Sequence, residues 1–270
     1  MKKRISFLHL CIPLLLLILA GCQKQMDSPF NDDRVAKQDG VAGTPLPIMP
    51  TYCRIESLWE NPNTSGQRFR LILYDQFENP VAITTPNPGT GNPYRTFKYD
   101  VWHRLREYRG EYANGNYEFW HFYGFDLNGR ISVDTNYVLG AMGPNGPATY
   151  LDWIISKIEY DAQGRIIKVV SDQQLNPLHT ELTFAYNASG NLIYPPASGV
   201  VYDNKMNINR TNDIWQFLSR DYSMNNPFVA AAYNTTNYPT VINSPTNVSW
   251  LREFSLTNSQ IGYNCRESHW

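Results

Sequence analysis

The chain has 270 residues, 23 Lys+Arg against 24 Asp+Glu and a formal net charge of −1. This balance leaves no electrostatic footprint for nucleic acid. Aromatic residues make up 14% and charged residues only 17%, with 18 Tyr and 7 Trp, a composition suited to an extracytoplasmic β protein with many half-buried faces.

The N-terminus reads "MKKRISFLHLCIPLLLLILAGC": a basic tip of Lys2, Lys3 and Arg4, an apolar run, then small residues before a cysteine. This order predicts a secretory leader over residues 1–21. Pro13 interrupts the apolar run, which leaves it far short of the roughly 20 residues that span a bilayer. Leu19-Ala20-Gly21-Cys22 resembles the bacterial lipobox, in which the cysteine receives a diacylglycerol and becomes the new N-terminus. The resemblance implies lipid attachment at Cys22 and membrane association through that lipid, two or more acyl chains being needed for stable anchoring. Gln23, where inner-membrane retention would favour Asp, implies an outer-membrane lipoprotein on the periplasmic or cell-surface side. Removing the leader takes three basic residues and no acid, so the balance moves to about minus four.

Residues 22–50 carry no apolar period and are rich in Gly, Pro, Asp and Gln, as expected of the lipidated cysteine and a flexible tether. Such a tether spans roughly 30 Å root-mean-square. A single β-rich domain is predicted over residues 51–270. Within it only Cys53 and Cys265 remain. In an oxidising compartment the pair reads as one disulfide joining the two ends of the domain, the alternative being two separate thiols.

Short aromatic and β-branched runs then alternate with turn residues. One string recurs: "YDQFENP" at 74–80, "YDVWHRL" at 99–105, "FDLNGRI" at 125–131, "YDAQGRI" at 160–166, "YNASGNL" at 186–192, "YDNKMNI" at 202–208 and "YNTTNYP" at 233–239. These seven copies predict an internal repeat of β-hairpins. The aromatic ends one strand, Asp or Asn caps the turn through its own side chain, and the fifth residue takes a positive φ before the return strand. Gly129, Gly164 and Gly190 suit that fifth position, and His103 and Asn237 tolerate it; Glu78 and Met206 do not, which predicts another geometry for the first and sixth loops. The short step from Tyr186 to Tyr202 predicts a missing or shared strand. Residues 211–222, "TNDIWQFLSRDY", predict a helix with Ile214, Phe217 and Leu218 on one face, plugging an opening or edge of the sheet.

The core Y-D-x-x-G-R-[IL] resembles the YD repeat of Rhs-type cell-surface proteins, and the spaced copies with "YDNKMNINRTNDIWQFLSRDYSMNNP" are similar to Bacteroidota cell-envelope lipoproteins of unknown function. The resemblance implies an antiparallel meander of hairpins forming a curved or barrel-like sheet. It implies no catalytic residues.

The turn acids Asp75, Asp100, Asp126, Asp161 and Asp203 are matched by Asn187 and Asn234 in the other copies, an exchange that keeps the turn but could not keep a proton-transfer role. His103, His121, His179 and His269 have no metal-ligand spacing, and no nucleophile motif is present. No catalytic residue, metal or cofactor is therefore expected, and the expected function is a non-enzymatic binding or structural module. Its partners would be polysaccharides or other envelope proteins. The rival expectation is a glycan-active hydrolase with dispersed carboxylates. "NYEFWHFYGFD" at 116–126 places Tyr117, Phe119, His121, Tyr123 and Phe125 on one strand face and Glu118, Trp120 and Phe122 on the other. If a ligand platform exists, Trp102, Trp120, His121, Trp153 and Trp250 are its candidates.

Overall fold

The computed structural model describes residues 51–267 except 176–177, 195–199 and 245–248; the leader, Cys22 and the tether lie outside the described residues. The strands are β1 Thr51–Glu60, β2 Arg68–Tyr74, β3 Pro80–Thr84, β4 Tyr94–Tyr99, β5 Leu105–Glu111, β6 Asn116–Phe125, β7 Ile131–Ala141, β8 Asp152–Tyr160, β9 Ile166–Gln173 and β10 His179–Thr183. After the helix α1, Asp213–Ser219, come β11 Ala232–Tyr233, β12 Pro239–Asn243, β13 Ser249–Trp250, β14 Phe254–Ser255 and β15 Asn258–Glu267. Thirteen of the strands form one sheet in the order β10-β9-β8-β7-β6-β5-β4-β3-β2-β1-β15-β12-β11, and β13 and β14 form a separate hairpin. The sheet is an antiparallel meander from β1 to β10, closed onto its own C-terminus through β15, and its ladder does not run from β10 to β11.

Each letter of the repeated string has a physical task. In six of the seven copies the second residue's side-chain oxygen accepts the N–H groups of the fourth and sixth residues: Asp161 Oδ1, for instance, accepts Gln163 N at 3.0 Å and Arg165 N at 2.9 Å. The fifth residue is left-handed in all six, including Gly164 at φ 78°, His103 at 60° and Asn237 at 66°. Glu78 corrects the sequence expectation, since it too is left-handed at φ 63°. The bonds to Asp75 impose the turn, and the Glu78 carboxylate gains ion pairs with Arg54 and Arg266 that offset part of the strain. The sixth copy does differ: Met206 bridges to Asn225, and Asp203 accepts Lys205 N and Asn226 N.

The remaining letters link each copy to the next. Arginine at the sixth position pairs with its own turn acid, as in Arg130–Asp126 at 2.8 Å and Arg165–Asp161 at 2.7 Å. It also lies over the leading aromatic of the following copy: Arg104 over Phe125, Arg130 over Tyr160, Arg165 over Tyr186. The leading tyrosine hydroxyl donates to the seventh-position carbonyl of the preceding copy, Tyr99 to Pro80, Tyr160 to Ile131 and Tyr202 to Leu192. The seventh side chains, among them Leu105, Ile131, Ile166 and Ile208, are buried.

An eighth position emerges from the same contacts. Tyr263 donates to the Pro239 carbonyl, and Tyr74 donates to the Ile55 carbonyl. Ile55 pairs with Tyr263, Arg54 with Asn264 and Cys53 with Cys265, and the two cysteines are disulfide-bonded. Arg54 covers Tyr74 as the sixth-position arginines cover their neighbours. Here the turn is replaced by two chain ends joined through sulfur. Tyr233 donates to Asp203 and so connects copies six and seven. The contacts thus pass through all eight aromatics and return to their start: this end of the sheet is ringed by side chains although the strand ladder is open.

The concave face is filled from within. Trp215 of α1 packs on Phe97 and on Trp250 of the β13–β14 hairpin, and Phe217 packs on Tyr123. Asn212 caps the helix by accepting Ile214 N at 2.9 Å, and its amide donates to the Glu78 carbonyl at 3.1 Å, which fixes the start of α1 at the turn-ring end. The helix is shorter than the sequence suggests because Arg220 adopts φ 53° and ends it. The sequence expectation of a missing or shared strand also holds: between β10 and β11 the described residues form no strand of the sheet and are held by isolated bridges, such as Tyr186 to Leu192, and by side-chain bonds.

Candidate functional site

Four arginines line the concave side, in two kinds of setting. Arg70 and Arg95 are buried and paired, Arg70 with Glu60 at 3.0 Å and Arg95 with Glu253 at 2.6 Å, and they sandwich the Phe254 ring. This network, with Ser255 N donating to Glu60, secures the β13–β14 hairpin to the sheet. Burial lowers the Arg70 guanidinium to about 10. Such a pair is costly to break from one side, since the partner would be left as a buried lone charge.

Arg220 and Arg252 have no such arrangement: among the described residues neither side chain makes an ion pair or a hydrogen bond. Arg220 is the left-handed residue that ends α1; Arg252 lies at the tip of the β13–β14 hairpin at φ 63°, beside Leu251 at φ 52°. Both would be cheaper positions for glycine or asparagine. The Leu251 N–H donates to Ser219 Oγ at 3.2 Å, which holds the hairpin tip against the helix end. Burial lowers both guanidinium groups from their ordinary values, and Arg252 further lowers Arg220. The charge of Asp134 acts on Arg220, and the same carboxylate is hydrogen-bonded to His121 Nδ1 at 2.8 Å.

Three cavities meet at these two arginines. One of about 320 Å³ runs along β6 to β10 and is walled by His121, Asp134, Asn136, Ser156, Ser171, Gln173 and Thr180. A second of about 130 Å³ is lined by Tyr108, Tyr123, Ile158, Phe217 and Glu253. A third of about 250 Å³ includes Asp221, Asn207, Asn209 and Tyr194. Ser156 and Ser171 share a hydrogen bond at 2.7 Å, and Asn136 Oδ1 is buried without a partner. The 320 Å³ space falls at the lower end of small-molecule sites. Chemically it offers two cations and the Asp134 carboxylate, a row of hydroxyl and amide groups, and the His121 ring.

The acids of this region are already engaged. Asp134 is bonded to His121, Glu253 to Arg95 and the Tyr108 hydroxyl, and Asp221 accepts Ser223 N at 2.9 Å and the Asn207 and Asn209 amides at 3.4 Å. Burial raises the Asp221 carboxyl above its ordinary value. Among the described residues no group of His, Cys, Asp and Glu could hold a metal ion.

The five platform candidates do not come together. Trp250 is 1% exposed within the core. Trp102 is 71% exposed at the second turn, under the Arg104 guanidinium. Trp120 and Trp153 share the convex face, in register on either side of Tyr137, and Trp120 is buried there with its Nε1 donating to Glu107. His121, adjacent to Trp120, points to the opposite, concave side and is the one candidate at the cavity. A register break at Gly110 and Glu111 also moves Tyr117 off the face it was expected to share with Phe119: it packs edge-on to Trp120 and donates to the Thr149 carbonyl.

A larger concavity of about 730 Å³ opens among the connections at the end away from the turns, lined by Pro88, Thr90, Tyr112, Asn114, Tyr117 and Leu139 among others. Its lining has no charged side chain, so the site with chemistry is the smaller, concave one. Arg220 and Arg252 were not visible as site residues in the sequence; the one signal was a helix ending "LSRDY" without a glycine. No protein-family model matches the chain, and no curated protein matches it.

Proposed function

We propose that the protein is a lipid-anchored, non-enzymatic binding module of the outer envelope, attached through Cys22 and binding a small envelope ligand, a glycan unit, in its concave cavity. The observation that supports this reading most is the meeting of two unpaired arginines with a wall of hydroxyl and amide groups at one cavity. Ligand sites combine a few convergent polar groups with an apolar surface, and this cavity adds Tyr108, Tyr123 and Phe217 nearby. The engaged state of Asp134, Glu253 and Asp221 favours binding over hydrolysis, because a glycosidase needs one carboxyl free to deliver a proton and a second free to attack or activate water.

The test has two arms. Cys22→Ser is expected to release the protein from envelope membranes, and protease treatment of intact cells then reports the side on which the native protein stands. A saccharide screen by calorimetry is expected to find binding in the wild type that Thr180→Trp, which fills the cavity wall, removes. Release of reducing ends from any polysaccharide would overturn the non-enzymatic reading.

A further inference from the structure

We infer that Arg220 and Arg252 form a clamp for the oxyanion of an acidic, hydroxyl-bearing ligand of monosaccharide size. The inference rests on the reading that the concave cavity is the binding site, and it names what that site selects.

Two guanidinium groups next to each other repel, and each pays for partial desolvation. The same concave face shows how this protein treats arginines that serve packing alone: Arg70 and Arg95 are each given a glutamate. Among the described residues Arg220 and Arg252 are given none, and both are presented from left-handed backbone positions at the ends of two different elements, tied together through Ser219 and Leu251. Unpaired charge and backbone strain in one place are costs that a bound anion would offset. A planar guanidinium matches a carboxylate or phosphate through two parallel N–H bonds, and two of them can hold one oxyanion from both sides.

The rest of the ligand is described by the walls. Ser156, Ser171, Gln173 and Thr180 offer donors and acceptors suited to ring hydroxyls, and the Asn136 Oδ1 acceptor is unpartnered. The acids near the two guanidiniums each have another partner: Asp134, whose charge also acts on Arg220, is bonded to His121, Glu253 to Arg95, and the Asp221 carboxyl to Ser223, Asn207 and Asn209, while Tyr123 faces Arg220 and Tyr194 faces Arg252. The lining sets two guanidiniums against the one Asp134 carboxylate, so a net positive charge is left for the ligand, on a protein whose overall charge is slightly negative.

Calorimetry on the full chain, purified with its disulfide intact, tests this with four probes: galacturonate, glucose 6-phosphate, galactose and inorganic sulfate. The expected result is binding of at least one acidic sugar, with galactose at least tenfold weaker. Arg220→Gln and Arg252→Gln should each weaken it by about 10–100-fold, the loss typical of hydrogen bonds to charged groups. Carboxylate against phosphate preference separates the two sources of the oxyanion, and sulfate binding as tightly as either sugar acid would restrict the site to free anions and overturn the monosaccharide part. The melting temperature of each variant serves as the folding control, and Arg252→Lys, which keeps the charge but not the fork, should fall between wild type and Arg252→Gln. If the glutamine variants bind an acidic sugar as the wild type does while Thr180→Trp does not, the clamp is wrong and the cavity reading stands. If Thr180→Trp still binds, or if no probe binds at all, both are overturned.

Discussion

The turn ring and the cavity behind it treat charge in opposite ways. In three copies of the ring the acid and the base meet within four residues, Asp100 with Arg104, Asp126 with Arg130 and Asp161 with Arg165, with the backbone N–H groups between them. At the cavity the partners are distant or absent. Glu253 reaches Arg95 across 158 positions, and among the described residues Arg220 and Arg252 form no ion pair. The difference separates local chemistry, which builds a shape and is copied in six turns, from non-local chemistry, which occurs once. A residue repeated in register is explained by the repeat; an unpaired charge that occurs in no other copy asks for a ligand.

The comparison can be broken most forcefully where the two regions join. Trp215 is fully buried between Phe97 and Trp250, so Trp215→Ala is expected to cost about 3–5 kcal/mol in urea unfolding. A loss under 1 kcal/mol would mean that α1 does not hold the concave face. The ring should respond next. Replacing both Cys53 and Cys265 by Ser opens its eighth position, across a sequence separation of 212, and is expected to cost about 2–5 kcal/mol. Unchanged unfolding of the double variant would show that the ring closes without sulfur. Gly164→Ala meets no steric neighbour but keeps φ at 78°, and should cost about 1–2 kcal/mol from backbone conformation alone.

Titration sharpens the contrast through its sign. At the turn, partial burial pulls the Asp161 carboxyl up, but the Arg165 N–H and guanidinium outweigh it and hold it below the ordinary carboxylate range. Its contribution to stability is therefore complete above the ordinary carboxylate value and lost as pH falls through its folded value. Burial raises Asp221 instead, so the folded state holds its proton more tightly and stability falls as pH rises from the ordinary carboxylate value through the raised one. Unfolding free energies measured from pH 3 to 8 should lose that fall in Asp221→Asn and keep it in Asp161→Asn. The smallest effect is expected for Asp161→Asn at neutral pH, within about 0.5–1 kcal/mol, since Asn187 and Asn234 already make the same turn and only a surface ion pair is lost. A larger loss would mean that the ion pair, and not the cap, carries the turn.

Much of this architecture could be read in the chain beforehand because the repeat is local. The aromatic, the capping acid and the left-handed fifth residue act within seven positions, and their hairpins imply an antiparallel meander. Glu78 escaped because its residue type argues against a positive φ while two arginines from the far chain ends, Arg54 and Arg266, support it there. Tyr263 escaped because the eighth copy has no turn to recognise, its halves being 212 residues apart at the cysteines. The tryptophans misled for a related reason: alternation along a strand gives a face, but whether that face is core, convex surface or cavity depends on what packs against it.

The hairpin unit, its turn chemistry, the mainly antiparallel β class and one short helix are written in the chain, because these follow from backbone preferences and from bonds within a few residues. It took the folded molecule to show that the eight units ring one end of the sheet, that α1 and the β13–β14 hairpin fill its concave face, and that two arginines meet there without an ion pair among the described residues. Those outcomes depend on which distant side chains share a space after the sheet has curved, and pairing of that kind leaves no period along the chain.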